Sequence, residues 1–247
     1  MSSIKLITQI KGKKITIANA ALISGIGLLI MALTVPFAEF YIFPKLMAEN
    51  PALLANNIMD NRLLFTTGIF LHFITLICDI VVAWSLYVFL KPVFKHLSLL
   101  TAWFRLIYIA MYLVALGNLI KVLNLLNINK KSNLLDQSQF YDSISFCIKS
   151  FHLEWSLGLI IFGIYLILLG YLVYNAEYVP KIFGILLIIA GFGYLINTLG
   201  LFLFPNINTE FLLITFFGEL IFMIWLLIKG SKIKNIKKTA HNNVYKI

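Results

Sequence analysis

The chain has 247 residues, of which 61% are hydrophobic and only 12% charged, with a net charge of +10 and a mean hydropathy of +0.93. A soluble domain carries roughly twice that charged fraction, and a chain this apolar could not keep a soluble surface wet, so composition excludes a soluble globular protein. The lysines lie mostly in the tails and between apolar runs, which points to membrane orientation and away from nucleic-acid binding.

Residues 1–17 form a basic tail with Lys5, Lys11, Lys13 and Lys14. The first apolar run, helix 1 over 18–43, is longer than a secretory signal core and is followed by no small-x-small cleavage pattern, so it reads as a retained helix. Ala21, Ser24, Gly25 and Gly27 give it small surfaces for helix contact. Pro36 predicts a kink, and Pro44 ends the run. A short interfacial helix is expected within 47–59, with Asn50–Pro51 at a turn or helix start. Helix 2 is predicted over 63–90, with its exit at Lys91–Pro92, and helix 3 over 98–125. A polar interval then runs from Leu126 to Ser150, with an amphipathic segment possible over 134–146.

The stretch Phe151–Phe204 reads as a helical hairpin: helix 4 over 151–174, a hinge at Asn175–Pro180, and helix 5 over 181–204. Helix 6 is predicted over 210–228, and a lysine-rich tail follows over 229–247. About 20 residues at ~1.5 Å rise cross a ~30 Å hydrocarbon layer. The expectation is therefore an all-α, polytopic membrane bundle of six transmembrane helices over 18–228, with membrane lipid as its surroundings. With both termini cytoplasmic, only Lys45, Arg62, Lys130, Lys131 and Lys149 fall on the outer side. Both tails and Lys91, Lys95 and Lys181 fall inside, as the positive-inside rule requires.

In the hairpin, Gly163 and Gly170 are seven apart, as are Gly184 and Gly191, and Gly193 and Gly200. Seven residues return nearly to the same helix face, so these glycines predict close packing. The two cysteines carry no disulfide or metal pattern. Cys78 reads as a buried thiol and Cys147 as a thiol in the polar interval.

Polar residues at membrane depth are the candidates for function, because each costs free energy unless it faces protein or water and finds a partner. Asp79 lies 11 residues before Leu90, about 16 Å from that helix end and so near mid-membrane. His72 and Thr75 share its face by spacing. Arg105, in helix 3, is placed to pair with Asp79 or to snorkel to the interface, and Tyr108 and Tyr112 follow it at spacings of three and four. Glu219 is expected in the middle of helix 6, beside Gly218. The first candidate cluster is thus Asp79, Arg105, Glu219, His72 and Tyr108. A second, nearer the outer face, gathers Glu39, Lys121, His152, Glu154 and Trp155, with Asn118 beside Lys121. It predicts a Glu39–Lys121 or Glu154–Lys121 pair.

No chemistry-bearing motif accompanies these residues. There is no phosphate loop, no nucleophile elbow and no HExxH pattern. Gly191–Phe192–Gly193 falls inside an apolar helix and not after a strand, so it reads as packing. His72 and His152, with Glu39, Asp79 or Glu154 supplying oxygen, are the metal-ligand candidates, and their spacing does not favour a site. No metal and no cofactor are expected.

The segments LSLLTAWFRLIYIAMYLVAL (97–116) and HLEWSLGLIIFGIYLILLGYLVYNAEYVPKIFGILLIIAGFGYLINTL (152–199), with Ala38–Phe40 and the Asp79 region, resemble the DUF4386 family of bacterial integral membrane proteins. The likeness runs over about 18–228. It is carried by Glu39, Asp79, Arg105, Tyr108, Trp155, Gly158, Gly163, Gly170, Pro180, Gly184, Gly191 and Tyr194. Tyr165 stands where the pattern often has histidine, and Asn197 where an acidic residue is common. The resemblance implies a membrane domain of about six helices in a bacterial inner membrane, and no particular reaction, substrate or cofactor.

Three functions fit such a chain. A structural, sensing or partner-binding protein is favoured. A small-solute transporter or permease comes second, and a membrane-embedded enzyme third. A sealed, paired polar cluster would support the first, and a cluster open to a cavity would support a bound ligand.

Overall fold

The computed structural model describes residues 15–132, 136–203 and 215–233. Among these residues the regular structure is helical throughout: α1 (Ile17–Phe37), α2 (Pro51–Asp60), α3 (Arg62–Leu90), α4 (Lys95–Ser132), α5 (Gln137–Tyr174), α6 (Lys181–Leu203) and α7 (Phe217–Ile228). Five helical stretches are long and apolar enough to cross a membrane: Ile17–Lys45, Arg62–Leu90, Lys95–Ile128, Gln137–Tyr174 and Lys181–Leu203. The expected sixth span is described only as the 12-residue α7. Its earlier part, the link at 206–209 and most of both basic tails lie outside the described residues.

Local chemistry sets the helix starts. The Asn50 side chain accepts hydrogen bonds from the Ala52 and Leu53 amides at 2.9 and 3.1 Å, and Pro51 occupies the first turn, where no amide donor is needed. This is the helix start expected at Asn50–Pro51. The disturbance expected at Pro36 takes the form of a changed helix type. Past the proline, α1 widens into a π-helical turn over Ala38–Ile42 and then tightens into a 3-10 turn over Phe43–Lys45. That widened turn carries Glu39.

The polar interval expected over 126–150 is helical for most of its length. α4 continues to Ser132 and α5 begins at Gln137. The reason is a buried stripe. Phe140, Ile144, Cys147, Ile148 and Phe151 recur at spacings of three and four and pack α5 against α2, where Leu54, Ala55 and Ile58 are buried. The polar residues that hide this stripe in the sequence occupy the opposite face. At 38 residues each, α4 and α5 are about 57 Å long, well beyond the ~30 Å hydrocarbon layer. The cysteines exchange roles as a result: Cys147 is buried in a helix and Cys78 is half-buried, both as free thiols.

The bundle is arranged for lipid. Val114 and Phe70 are 67% and 63% exposed, whereas Arg105 is 1% exposed and Asp79 fully enclosed. α1 and α3 run antiparallel and are joined by two hydroxyl pairs, Ser24–Ser85 at 2.7 Å and Thr34–Thr75 at 2.8 Å. Side-chain hydrogen bonds of this kind hold helices together where the surrounding solvent is itself apolar.

The α5–α6 hairpin closes on its glycines. A Cβ built at Gly170 would lie 2.6 Å from the Gly184 carbonyl oxygen, and one at Gly191 would lie 2.7 Å from the Gly163 oxygen. The two heptad pairs therefore meet in antiparallel register, backbone against backbone. Gly193, from the third pair, faces Thr215 instead. At the hinge, the Tyr178 hydroxyl donates to the Phe89 carbonyl at 2.6 Å and so fastens the hairpin to the end of α3. Burial pushes the Tyr178 hydroxyl pKa well above its ordinary value, which keeps it a donor.

Candidate functional site

His72, Thr75 and Asp79 all face inward from α3, as their spacing predicts. They do not form one cluster. Seven residues, about 10 Å of helix, separate His72 from Asp79, and each meets different partners.

Asp79 and Arg105 form an ion pair, with side chains no more than 2% exposed. Arg105 donates from Nε at 2.8 Å and from Nη2 at 2.5 Å, both to the same Asp79 oxygen, Oδ1. Its Nη1 donates to the Tyr165 hydroxyl at 2.5 Å. Snorkelling, the other arrangement open to Arg105, is not what forms. The side chain turns inward because α3 and α5 supply a carboxylate and a hydroxyl at its own depth. Asp79 Oδ2 is buried and has no hydrogen-bond partner among the described residues.

Asp79 also lines a cavity of about 130 Å³ bordered by residues of α1, α3, α4, α5, α6 and α7. Its polar rim is Asp79, Thr75, Tyr108, Tyr194 and Glu219, and its walls include Met31, Trp155, Phe162 and Phe216. Glu219 does not pair with Arg105; it is half-buried and lines the cavity with Tyr194. Its Oε1 is a second buried oxygen without a hydrogen-bond partner among the described residues. Gly218 beside it lets α7 approach α6, since a Cβ there would come 2.8 Å from the Leu186 oxygen. Glu219 occupies the first turn of the described helix α7, where a carboxylate suits the helix dipole.

The next layer is built around His72. Its Nδ1 is hydrogen-bonded to the Tyr112 hydroxyl. Its Nε2 stands 3.2 Å from Glu39 Oε1, close enough for an ion pair but not aligned as a hydrogen bond. Phe43 stacks on the imidazole at 5.5 Å, and Tyr112, Phe151 and Trp155 meet it edge-on. The Trp155 indole donates to the Tyr108 hydroxyl at 3.3 Å, so this aromatic box adjoins the cavity wall. Further along, Lys121 donates to Asn118 Oδ1 at 2.9 Å, and Asn118 Nδ2 donates to Glu154 at 2.8 Å. The expected Lys121–carboxylate pair is thus replaced by a relay through Asn118. Asn118 lies one turn before Lys121 on the same helix and intercepts the ammonium. His152 packs edge-on to Phe151 at 5.0 Å.

The two clusters expected from sequence are therefore divided differently in space. His72 leaves the Asp79 group and joins Glu39 and Trp155. Tyr108 stands at the boundary. Asp79, Glu219 and Tyr108 share the cavity, and Arg105 stands behind Asp79. Tyr165, Tyr194 and Tyr112 complete the site and had no place in the candidate clusters. Their signal was a phenol well inside an apolar run, where the hydroxyl must find a partner. Among the described residues, no group of three or more His, Cys, Asp or Glu could hold a metal ion.

A family model described as a domain of unknown function, DUF4386, matches residues 23–230. The chain belongs to the DUF4386 family. A relative from Archaeoglobus fulgidus, described as an uncharacterized protein, is 36% identical over 167 residues, covering 68% of this chain and 86% of the relative. That relative is archaeal, so the likeness reaches beyond the bacterial setting implied by the resemblance. No solved structure matches the chain. In this DUF4386 member, the matched region includes both the cavity and the His72 layer.

Proposed function

We propose that this multi-pass membrane protein binds a small ligand inside the bilayer, in the cavity between Asp79 and Glu219, and acts as a sensing or ligand-dependent partner-binding protein. One observation carries the reading: Asp79 and Glu219 line one cavity, and each carries a buried carboxyl oxygen, Oδ2 and Oε1, with no hydrogen-bond partner among the described residues. An unsatisfied buried polar atom costs about 1–3 kcal/mol, more when it is charged, so such atoms suit a site completed by something bound. Behind Asp79, the enclosed Arg105 and Tyr165 favour binding over passage across the membrane.

The expected orientation, with both termini cytoplasmic in a cytoplasmic membrane, completes the proposal. A fluorescent-protein fusion at the C-terminus should be bright and one to alkaline phosphatase inactive; the reverse pattern overturns the orientation. For binding, the full-length protein in nanodiscs is heated with n-propylammonium, propan-1-ol or propionate. At least one should raise the melting temperature of the native chain and not that of Ala32→Phe, which fills the cavity from α1. If none does so, the binding reading fails.

A further inference from the structure

The charges and walls of the cavity bear on what it takes. Asp79, Arg105 and Glu219 carry a net charge of −1 when all three are ionised. Arg105 is committed: Nε and Nη2 go to Asp79 Oδ1 and Nη1 to Tyr165. What remains unspent is an acceptor on each acid, Asp79 Oδ2 and Glu219 Oε1. We infer that the cavity takes a small protonated amine, whose ammonium donates to these two oxygens and whose short apolar body lies against the aromatic wall. This rests on the binding reading above and names the ligand class for that site.

Three features favour an amine over other occupants. The open oxygens are acceptors, which an N–H group satisfies and an anion repels. The walls, among them Trp155, Tyr108 and Phe162, give the mostly apolar and aromatic lining that suits the short body of such an amine. A hard metal ion needs about six oxygen ligands, whereas most of this lining is apolar. At about 130 Å³, the cavity is smaller than the ~300–1,000 Å³ of drug-sized sites, so the ligand is limited to a few heavy atoms.

The test uses the full-length protein in nanodiscs, with tryptophan-monitored melting as the readout. The probes are n-propylammonium, propan-1-ol of similar shape, tetramethylammonium as a cation without N–H donors, and sodium. The expected result is stabilisation by n-propylammonium with an affinity at least about tenfold above that of the alcohol or of tetramethylammonium, a gap of ~1.4 kcal/mol. Stabilisation should be lost in Glu219→Gln. Equal effects of amine and alcohol, or of amine and tetramethylammonium, overturn the inference, as does reproduction of the shift by sodium alone. So does an unchanged response in Glu219→Gln. The comparison of probes on the native chain decides even if that variant does not fold. Should the alcohol bind as well as the amine, and lose its effect in Ala32→Phe, the site stands and only the amine class falls. If neither these probes nor propionate act, both readings fall; if propionate alone acts, only the amine class falls.

Discussion

Two seams in this bundle are built from opposite side-chain choices. Between α5 and α6, glycines stand opposite one another, and the helices touch backbone to backbone. Between α1, α3, α4, α5, α6 and α7, tyrosines, tryptophan and two acids hold the helices apart and leave a cavity. At its paired glycines the first seam has no room for a ligand and no side chain to recognise one. The second has both. A membrane bundle gains no hydrophobic driving force from helix contact, because lipid is as apolar as the protein. Close packing must secure the fold in one place so that a cavity can be carried in another.

Four substitutions test that division, in order of expected effect. Arg105→Ala removes the only cation bonded to Asp79 among the described residues. Breaking one side of a buried pair costs about 3–5 kcal/mol, so the variant should melt far below the native chain or fail to elute as a single detergent-solubilised species. Normal melting would show that Asp79 does not need Arg105. Gly184→Leu should follow at about 3 kcal/mol, the upper end for overpacking, because a Cβ there meets the Tyr174 amide nitrogen at 2.6 Å. Retention of native melting would place the seam's stability elsewhere.

Tyr165→Phe deletes the acceptor for Arg105 Nη1 and should cost about 2 kcal/mol, as for other hydrogen bonds to charged groups. Its ligand response should remain, since Tyr165 does not line the cavity. Loss of that response with little change in melting would reverse the roles assigned to the two regions. The smallest effect, about 1 kcal/mol, is expected for Asn50→Ala, which uncaps α2. Hydrogen exchange should quicken in the first turn of α2 while the cavity residues keep their protection; a general increase would mean that α2 supports the whole bundle.

Much of the secured seam was legible in the sequence, because heptad glycines declare a face without knowledge of the partner helix. The Asp79–Arg105 pair was legible for a related reason: a charge in lipid has few alternatives to another charge at the same depth. The depth of His72 was visible, but its partner was not. The π-helical turn after Pro36 sets the position of Glu39, and no spacing rule yields it. The reach of α4 and α5 beyond the bilayer was hidden by the polar residues of 126–150. Their apolar stripe is only one face wide, and it acquires meaning once α2 lies against it. The cavity was the least legible feature, because it depends on which oxygens of Asp79 and Glu219 remain unpaired. Those are properties of rotamers and not of composition.

The contrast between the seams can be measured directly by thiol accessibility. In a Cys78→Ser, Cys147→Ser background, Met223→Cys lines the cavity, whereas Leu187→Cys is buried on α6 away from it. The small neutral reagent methyl methanethiosulfonate should label Met223→Cys much faster than Leu187→Cys in the folded, nanodisc-embedded protein, and n-propylammonium should slow the faster reaction alone. Equal, slow labelling at both positions would contradict the account, because it would mean that the space beside Asp79 and Glu219 is closed.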